Sequence, residues 1–248
     1  MNRRLNARTG MRVRLLCLLM LAALAGRAAT RTFSGGPAQA SLLELFTSEG
    51  CSSCPPAEAW LENLRHDPGL WRDFVPVAFH VNYWDRLGWP DRFASRQFTA
   101  RQHAYVAAWH TNMVYTPGFV LNGRDWGGRP ARKPPALQRV TGVLTVEAAG
   151  DRGVVTYAPE QDVHGAYEVH IVPLAGGIVS RVDAGENRGQ TLNHEFVALS
   201  LTTYELNQGR AEFILPGTGP AGTRRALAVW VTHPGSTEPL QATGGWLD

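Results

Sequence analysis

The sequence is poor in cysteine. It contains only three, and one of them, Cys17, lies within an apolar run near the N-terminus. In an oxidising compartment, the other two, Cys51 and Cys54, are therefore expected to pair with each other. A structural zinc site needs about four ligands, and no second Cys/His pair with suitable spacing accompanies this Cys-x-x-Cys. We therefore expect no metal site and no bound cofactor.

The first 28 residues contain no acidic side chain. Six arginines flank an apolar run at 13–25 that is too short to span a bilayer comfortably. A basic segment, a short apolar run and small residues together are typical of a secretory signal peptide. We predict cleavage after Ala28 or Ala29 and export of the mature chain. An uncleaved membrane anchor is the alternative interpretation, and Met11 is a second candidate for the start.

The apparent basicity of the chain comes from this leader. It carries six of the 24 Lys and Arg residues, so 18 remain against 21 Asp and Glu, and the net charge becomes about −3. We therefore expect no nucleic-acid partner, and contact with a membrane only through the signal peptide.

The remaining sequence has no internal repeat, low-complexity tract or second membrane segment, and its composition is that of an ordinary globular protein. Hydrophobic patterns predict strands at 42–46, 74–81 and 115–123, with helices at 54–66 and 91–110 between them. This alternation predicts a layered α/β unit. After a connector and a short helix at 136–140, short β-like runs from about residue 144 predict an antiparallel sheet or sandwich. The predicted domains are 41–140 and 141–248, after the signal peptide at 1–28.

The Cys-Ser-Ser-Cys motif lies between a predicted strand and the predicted helix that follows it. Unpaired N–H groups at a helix start favour a thiolate, so Cys51 is predicted to be the nucleophile of a thiol–disulfide exchange, with Cys54, less exposed, as the resolving thiol. A static bridge is the alternative, although a loop of four residues contributes only about 2 kcal/mol in the chain-entropy model. A third reading is a copper-handling protein that uses both cysteines and His80, since soft thiolates suit Cu(I).

The second predicted element of the site is Thr116-Pro117, at the start of the strand after the long helix. Thiol oxidoreductases with this strand–helix order place a cis proline there, facing the cysteine pair, where an extended substrate can dock. An ordinary trans proline that ends the helix is the alternative.

These motifs carry a resemblance. The strand at 42–46, the Cys-x-x-Cys and Thr116-Pro117 look like the thioredoxin superfamily over residues 41–125. More narrowly, the segments at 44–57, 80–85, 115–117 and 185–189 resemble the exported bacterial family called domain of unknown function 1223. The resemblance implies an α/β thioredoxin-like N-terminal unit followed by an antiparallel all-β C-terminal region, and it implies no established substrate.

Several polar and aromatic residues are possible accessories of the site. Glu44 is a candidate proton relay or an exposed strand residue, and His80 and Trp84 lie on or near an aromatic loop that can either rim the cysteines or cap the core. Asn187, Arg188 and His194 form either a polar patch next to the redox site or a turn with a solvated face, and the second interpretation is favoured. The sequence thus predicts a bacterial periplasmic or secreted thiol–disulfide oxidoreductase, whose partners are a thiol- or disulfide-bearing protein and an unknown redox protein. The rival interpretation is a non-catalytic binding or assembly module with an inert disulfide.

Overall fold

The computed structural model describes residues 29–128, 132–161, 165–215 and 219–248. The predicted signal peptide at 1–28 lies outside these residues. Within the described part, no helix is both long and apolar enough to cross a membrane.

Strands dominate the structure, and the described residues contain two α-helices and two single 3₁₀ turns. The α-helices are α1 (Pro55–Asn63) and α2 (Arg96–Ala108), and the 3₁₀ turns are Leu64–His66 and Asp85–Leu87. The strands are β1 (Arg31–Ser34), β2 (Ser41–Thr47), β3 (Phe74–His80), β4 (Gly118–Leu121), β5 (Arg124–Gly127), β6 (Gly142–Ala149), β7 (Arg152–Pro159), β8 (Glu168–Gly176), β9 (Ile178–Arg181), β10 (Thr191–His194), β11 (Val197–Ala198), β12 (Thr202–Glu205), β13 (Arg210–Ile214), β14 (Arg224–Thr232) and β15 (Gln241–Trp246).

Nine of the strands form one large sheet. Its order is β15-β14-β8-β11-β3-β2-β4-β5, and β12 also pairs with β8. The strand β3 runs parallel to both β2 and β11, whereas β4 is antiparallel to β2. A four-stranded sheet, β1-β6-β7-β13, and the two-stranded pair β10-β9 complete the pairing.

The predicted fold class, an α/β thioredoxin-like unit followed by an antiparallel all-β region, is wrong. The structure is mostly β-strand with two short helices and a curled sheet of many strands. The free edge of β3 pairs with β11, which lies more than a hundred residues later in the chain, and β11 joins β8 and β14 to the same sheet. Strands from both halves of the sequence therefore share one sheet. The division into domains at residue 140 stays a prediction.

Two predicted helices differ from the structure. The short helix predicted at 136–140 is absent, because residues 136–139 have no regular secondary structure and Val140 forms an isolated antiparallel bridge with Ala38. The helix predicted at 91–110 begins only at Arg96, where the Ser95 side chain accepts a hydrogen bond from the Gln97 N–H at 3.1 Å. Ser95 is thus the N-cap, and residues 91–95 remain outside the helix.

The candidate site lies where three central strands end or begin. All seven residues of β2 are buried, as are all seven of β3. The parallel register sets Thr47 opposite His80, and the antiparallel register sets Phe46 opposite Gly118. The chain segments that follow β2 and β3 and precede β4 therefore meet at one end of the sheet.

Candidate functional site

Cys51 and Cys54 form a disulfide, with a Cα–Cα distance of 5.4 Å, within the usual range for such bonds. Both residues have 0% relative exposure. The sequence predicted that Cys54 is the less exposed of the two, and this prediction is wrong because both are equally buried. The bridge lies beneath the surface, between the exposed residues Ser52 and Ser53 and the core.

The cysteine loop leads directly into α1. Cys54 is the N-cap of this helix, and its carbonyl oxygen accepts hydrogen bonds from the N–H groups of Ala57 and Glu58, at 2.9 and 3.1 Å. Pro55 and Pro56 occupy the first turn, where a missing N–H costs little. Cys51 lies in the preceding turn, and its carbonyl accepts from the Cys54 N–H at 3.2 Å. The positive end of the helix dipole is therefore close to both sulfur atoms.

Two hydroxyl groups surround the Cys51 sulfur. Thr116 donates from Oγ1 to Cys51 Sγ at 3.2 Å, and Ser53 Oγ lies 3.4 Å from the same sulfur. The Trp84 indole N–H donates to Thr116 Oγ1 at 2.8 Å, which leaves the threonine proton free to point at the sulfur. The peptide bond between Thr116 and Pro117 is cis. The fold thus brings Thr116 and Trp84 of the predicted site to Cys51.

A distant turn covers the cysteine loop. Glu186 accepts hydrogen bonds from the Ser52 N–H at 3.1 Å and from its hydroxyl at 2.7 Å. Asn187 donates from Nδ2 to the carbonyl oxygens of Glu49 and Cys51, at 2.8 and 2.9 Å. Asn187 is buried, so its interpretation as part of a solvated turn is wrong. We call Glu186 and Asn187 the covering pair.

A buried cluster of histidines and carboxylates lies beside the covering pair. His80 Nδ1 is 2.7 Å from an oxygen of Asp91, and that same oxygen accepts the Glu49 N–H at 2.8 Å. His194 Nδ1 forms a short hydrogen bond with Glu58, and its Nε2 lies 3.3 Å from Glu49 Oε1. His194 is only 1% exposed, so it also does not belong to a solvated face. We call Glu49, Glu58, His80, Asp91 and His194 the buried cluster.

Mutual attraction sets the protonation of this cluster. Burial disfavours the charged form of His194, but the carboxylates of Glu58 and Glu49 outweigh it and raise the pKa of His194 to about 10. Burial likewise opposes ionisation of Asp91, yet attraction to His80 lowers the pKa of that carboxyl to about 2. Burial raises the pKa of Glu49, but His194, Ser180 and the hydrogen bond from Trp89 together outweigh it, so the pKa of this carboxyl falls. The cluster therefore favours charged groups inside the protein.

Glu44 has a different place from the one predicted. It is fully buried, and Arg101 donates to both of its oxygens, at 2.5 and 2.9 Å. The Tyr105 hydroxyl also donates to it. Glu44 is thus neither exposed nor hydrogen-bonded to a cysteine, and its role as a proton relay stays a prediction without a contact to support it.

The copper reading grouped His80 with both cysteines. The ligand atoms that lie together with His80 belong instead to Glu58 and His194, and both sulfur atoms are joined in the disulfide. Sequence reasoning missed Glu58, Asp91 and Glu186, because each of them lies in an ordinary helix, loop or distant turn. Asn187 was named only as part of a candidate polar patch. The only signal was the segment at 185–189, which is one of the motifs of the family resemblance.

The fold and the site define a class: a β-rich protein with a buried Cys-x-x-Cys disulfide before a helix, a threonine hydroxyl on its first sulfur and a His/carboxylate cluster nearby. Residues 42–232 match the family described as "Protein of unknown function (DUF1223)", and the chain belongs to this family. No curated protein matches the sequence.

Two solved structures are similar in fold. The crystal structure of protein AGR_C_4864 from Agrobacterium tumefaciens is 24% identical, with a TM-score of 0.61, over 85% of this chain and 95% of that one. HBP35 of Porphyromonas gingivalis is 12% identical, with a TM-score of 0.55, over 85% of this chain and 76% of that one. At these identities the likeness concerns the fold alone.

Proposed function

We propose that the protein is an exported thiol–disulfide oxidoreductase, periplasmic or secreted, that acts through Cys51 and Cys54. The observation that carries this proposal is the donor arrangement at one sulfur. Thr116, oriented by Trp84, donates to Cys51 Sγ. The Ser53 hydroxyl, which donates to the Thr116 carbonyl oxygen at 3.4 Å, also lies 3.4 Å from this sulfur. Hydrogen bonds to a sulfur stabilise its thiolate, which is the nucleophilic form. No hydroxyl donor to Cys54 Sγ is found in the described residues, so the asymmetry favours Cys51 as nucleophile.

The reaction balances without a cofactor. In the oxidising direction, a substrate thiolate attacks Cys51 Sγ, the Cys51–Cys54 bond breaks, and Cys54 leaves as a thiolate that takes up a proton. A second thiolate of the substrate then attacks the substrate sulfur that is bonded to Cys51. This forms the substrate disulfide and releases Cys51 as a thiolate, which takes up a proton. The substrate loses two electrons and two protons, and the cysteine pair gains them. In the reducing direction, Cys51 attacks a substrate disulfide and Cys54 resolves the mixed disulfide.

Thr116 and Pro117 are the proposed docking element, because Thr116 is hydrogen-bonded to the reacting sulfur and Pro117 follows it in the chain. The exposed residues Ser52 and Ser53 mark the side from which a partner protein approaches. Since both cysteines are buried, attack requires the covering pair to release Ser52 and the cysteine loop. The partners are accordingly a protein with thiols or a disulfide and a second redox protein that resets the pair.

Burial also favours a second candidate function, a binding or assembly module with an inert disulfide. A sulfur with 0% exposure cannot be attacked unless the surrounding loop opens. Under this candidate the hydroxyl groups at Cys51 only satisfy local packing, and the covering pair never opens during the protein's life.

Exchange with a small disulfide peptide separates the two candidates. Reduced wild-type protein is mixed with the peptide, and thiols are quenched with acid and counted by mass spectrometry. The oxidoreductase proposal predicts rapid peptide reduction by wild type and an accumulating mixed disulfide in Cys54→Ser, with no adduct in Cys51→Ser. If wild type reacts no faster than Cys54→Ser and no adduct forms, the bridge is inert and the proposal fails.

A further inference from the structure

Three ligand atoms converge inside the buried cluster. One atom each from Glu58, His80 and His194 lies within 4.8 Å of the other two, and all three residues are buried. They come from helix α1, strand β3 and strand β10, so the tertiary fold brings them together. None of the three belongs to the exchange chemistry proposed above.

His80 is already oriented toward the other two. Its Nδ1 is bound to the Asp91 carboxylate at 2.7 Å, and its Nε2 is fully buried without a hydrogen-bond partner in the described part of the chain. A buried polar atom without a partner is costly, typically about 1–3 kcal/mol. A histidine held by a carboxylate on one nitrogen, with the other nitrogen pointing into a polar cluster, has the arrangement of a metal ligand with its outer-shell support.

A second carboxylate lies on the far side of His194. Glu49 Oε1 is 3.3 Å from His194 Nε2, which is ion-pair distance, and neither atom has a hydrogen-bond partner in the described residues. Glu58 contacts the other nitrogen of the same ring, Nδ1. Glu49 can therefore support His194 from outside the converging group, as Asp91 supports His80.

The charge balance also favours a cation. Glu49, Glu58 and Asp91 bring three carboxylates into the interior, and in the described ranges no Lys or Arg forms an ion pair with any of them. The two imidazoles and the Glu58 carboxylate form a donor set suited to zinc and neighbouring first-row ions. Calcium and magnesium prefer oxygen ligands alone.

We propose that Glu58, His80 and His194 bind one divalent transition-metal ion. Ligand atoms on a tetrahedral zinc lie about 3.4 Å apart, so the side chains need to close by up to about 1.4 Å. The ion takes the place of the proton between His194 and Glu58. Asp91 is a positioning residue, because it holds His80 through the nitrogen that does not bind the metal.

The test uses Zn²⁺ and Co²⁺ with the oxidised, chelator-treated protein, in which the disulfide withholds both thiols. We expect wild type to take up one equivalent of Zn²⁺ by titration calorimetry, and the Co²⁺ form to show the visible bands of a tetrahedral site. His80→Gln and Glu58→Gln should abolish uptake, and Asp91→Asn should weaken affinity about 10–100-fold. The matched control is His103→Gln, since His103 is exposed on α2, and it should bind like wild type.

Other outcomes overturn the proposal. If wild type takes up no Zn²⁺, the cluster is held by shared protons alone. If the His80 and Glu58 variants bind as tightly as wild type, the site lies elsewhere. If uptake needs reduction of the disulfide, or if the Co²⁺ form shows thiolate charge-transfer absorption, the cysteines are the ligands. The Co²⁺ spectrum requires only wild-type protein, so it decides the question even if a variant does not fold.

Discussion

Asn187 holds the cysteine loop closed, and its removal has a calculable effect. Its side chain donates to the carbonyl oxygens of Glu49 and Cys51, at 2.8 and 2.9 Å, in a buried position. Each such bond contributes about 1 kcal/mol net, so Asn187→Ala is expected to weaken the closed loop by about 2 kcal/mol. Because every 1.4 kcal/mol is tenfold, the open population should rise roughly 30-fold.

The assay is the rate at which dithiothreitol reduces the Cys51–Cys54 bridge, measured by alkylation and mass spectrometry, with urea unfolding as the measure of global stability. We expect Asn187→Ala to be reduced roughly 30-fold faster than wild type. Asn193→Ala is the control, since Asn193 is exposed on β10, and it should leave the rate unchanged. A folded Asn187→Ala protein reduced at the wild-type rate would refute the idea that this pair limits access to the sulfurs.

Three further predictions follow from single contacts. Thr116→Val removes the hydroxyl that donates to Cys51 Sγ, so the pKa of the reduced Cys51 thiol should rise. The pH dependence of the alkylation rate measures this pKa, and Thr116→Ser should restore the wild-type curve. Glu44→Gln leaves the Arg101 charge buried without its partner, so the free energy of unfolding measured with urea should fall by about 3–5 kcal/mol. A change in the disulfide exchange rate of this variant would contradict the separation of Glu44 from the site. Burial and the nearby Arg101 charge lower the pKa of His170 to about 3, below its usual 6.5, so the folded state resists protonation. Stability should therefore fall as pH drops from about 6.5 toward 3, by on the order of 5 kcal/mol, and His170→Gln should remove most of that slope.

Local elements were predictable where a short pattern determines them. The strand at 42–46 is observed as Ser41–Thr47, and the predicted helix at 54–66 is observed as α1 followed by a 3₁₀ turn. Apolar runs and prolines act over a few residues, so the sequence shows them directly. The disulfide was predicted for the same reason, since its cysteines are three residues apart.

The sheet was not predictable in this way. The pairing of β3 with β11 places Ala78 opposite Val197. No pattern in the sequence of either strand identifies the other as its partner. Without that pairing, alternating strands and helices favour an independent α/β unit, which the structure does not form. Long-range strand pairing depends on the burial of both faces and edges at once, which no local pattern encodes.

The candidate site divides along the same line. Cys51, Cys54 and Thr116 were predicted from motifs at strand ends, and the fold brings them together. His80, Asn187 and His194 were named as candidates, but the grouping of Glu58, His80 and His194 was missed, because these residues are separated by tens of residues and each looks ordinary in its own segment. A metal site is recognised in a sequence by the spacing of its ligands along the chain. These ligands have no such spacing and are brought together only by the tertiary fold.

The reduction potential of the Cys51–Cys54 pair tests the central claim most directly. The protein is equilibrated with glutathione buffers of graded ratio, and the oxidised fraction is read by alkylation and mass spectrometry. Catalytic pairs lie between about −120 and −270 mV, whereas structural disulfides lie below about −300 mV. The account predicts a potential in the catalytic range. A value below about −300 mV would identify the bridge as structural and contradict the proposed oxidoreductase function.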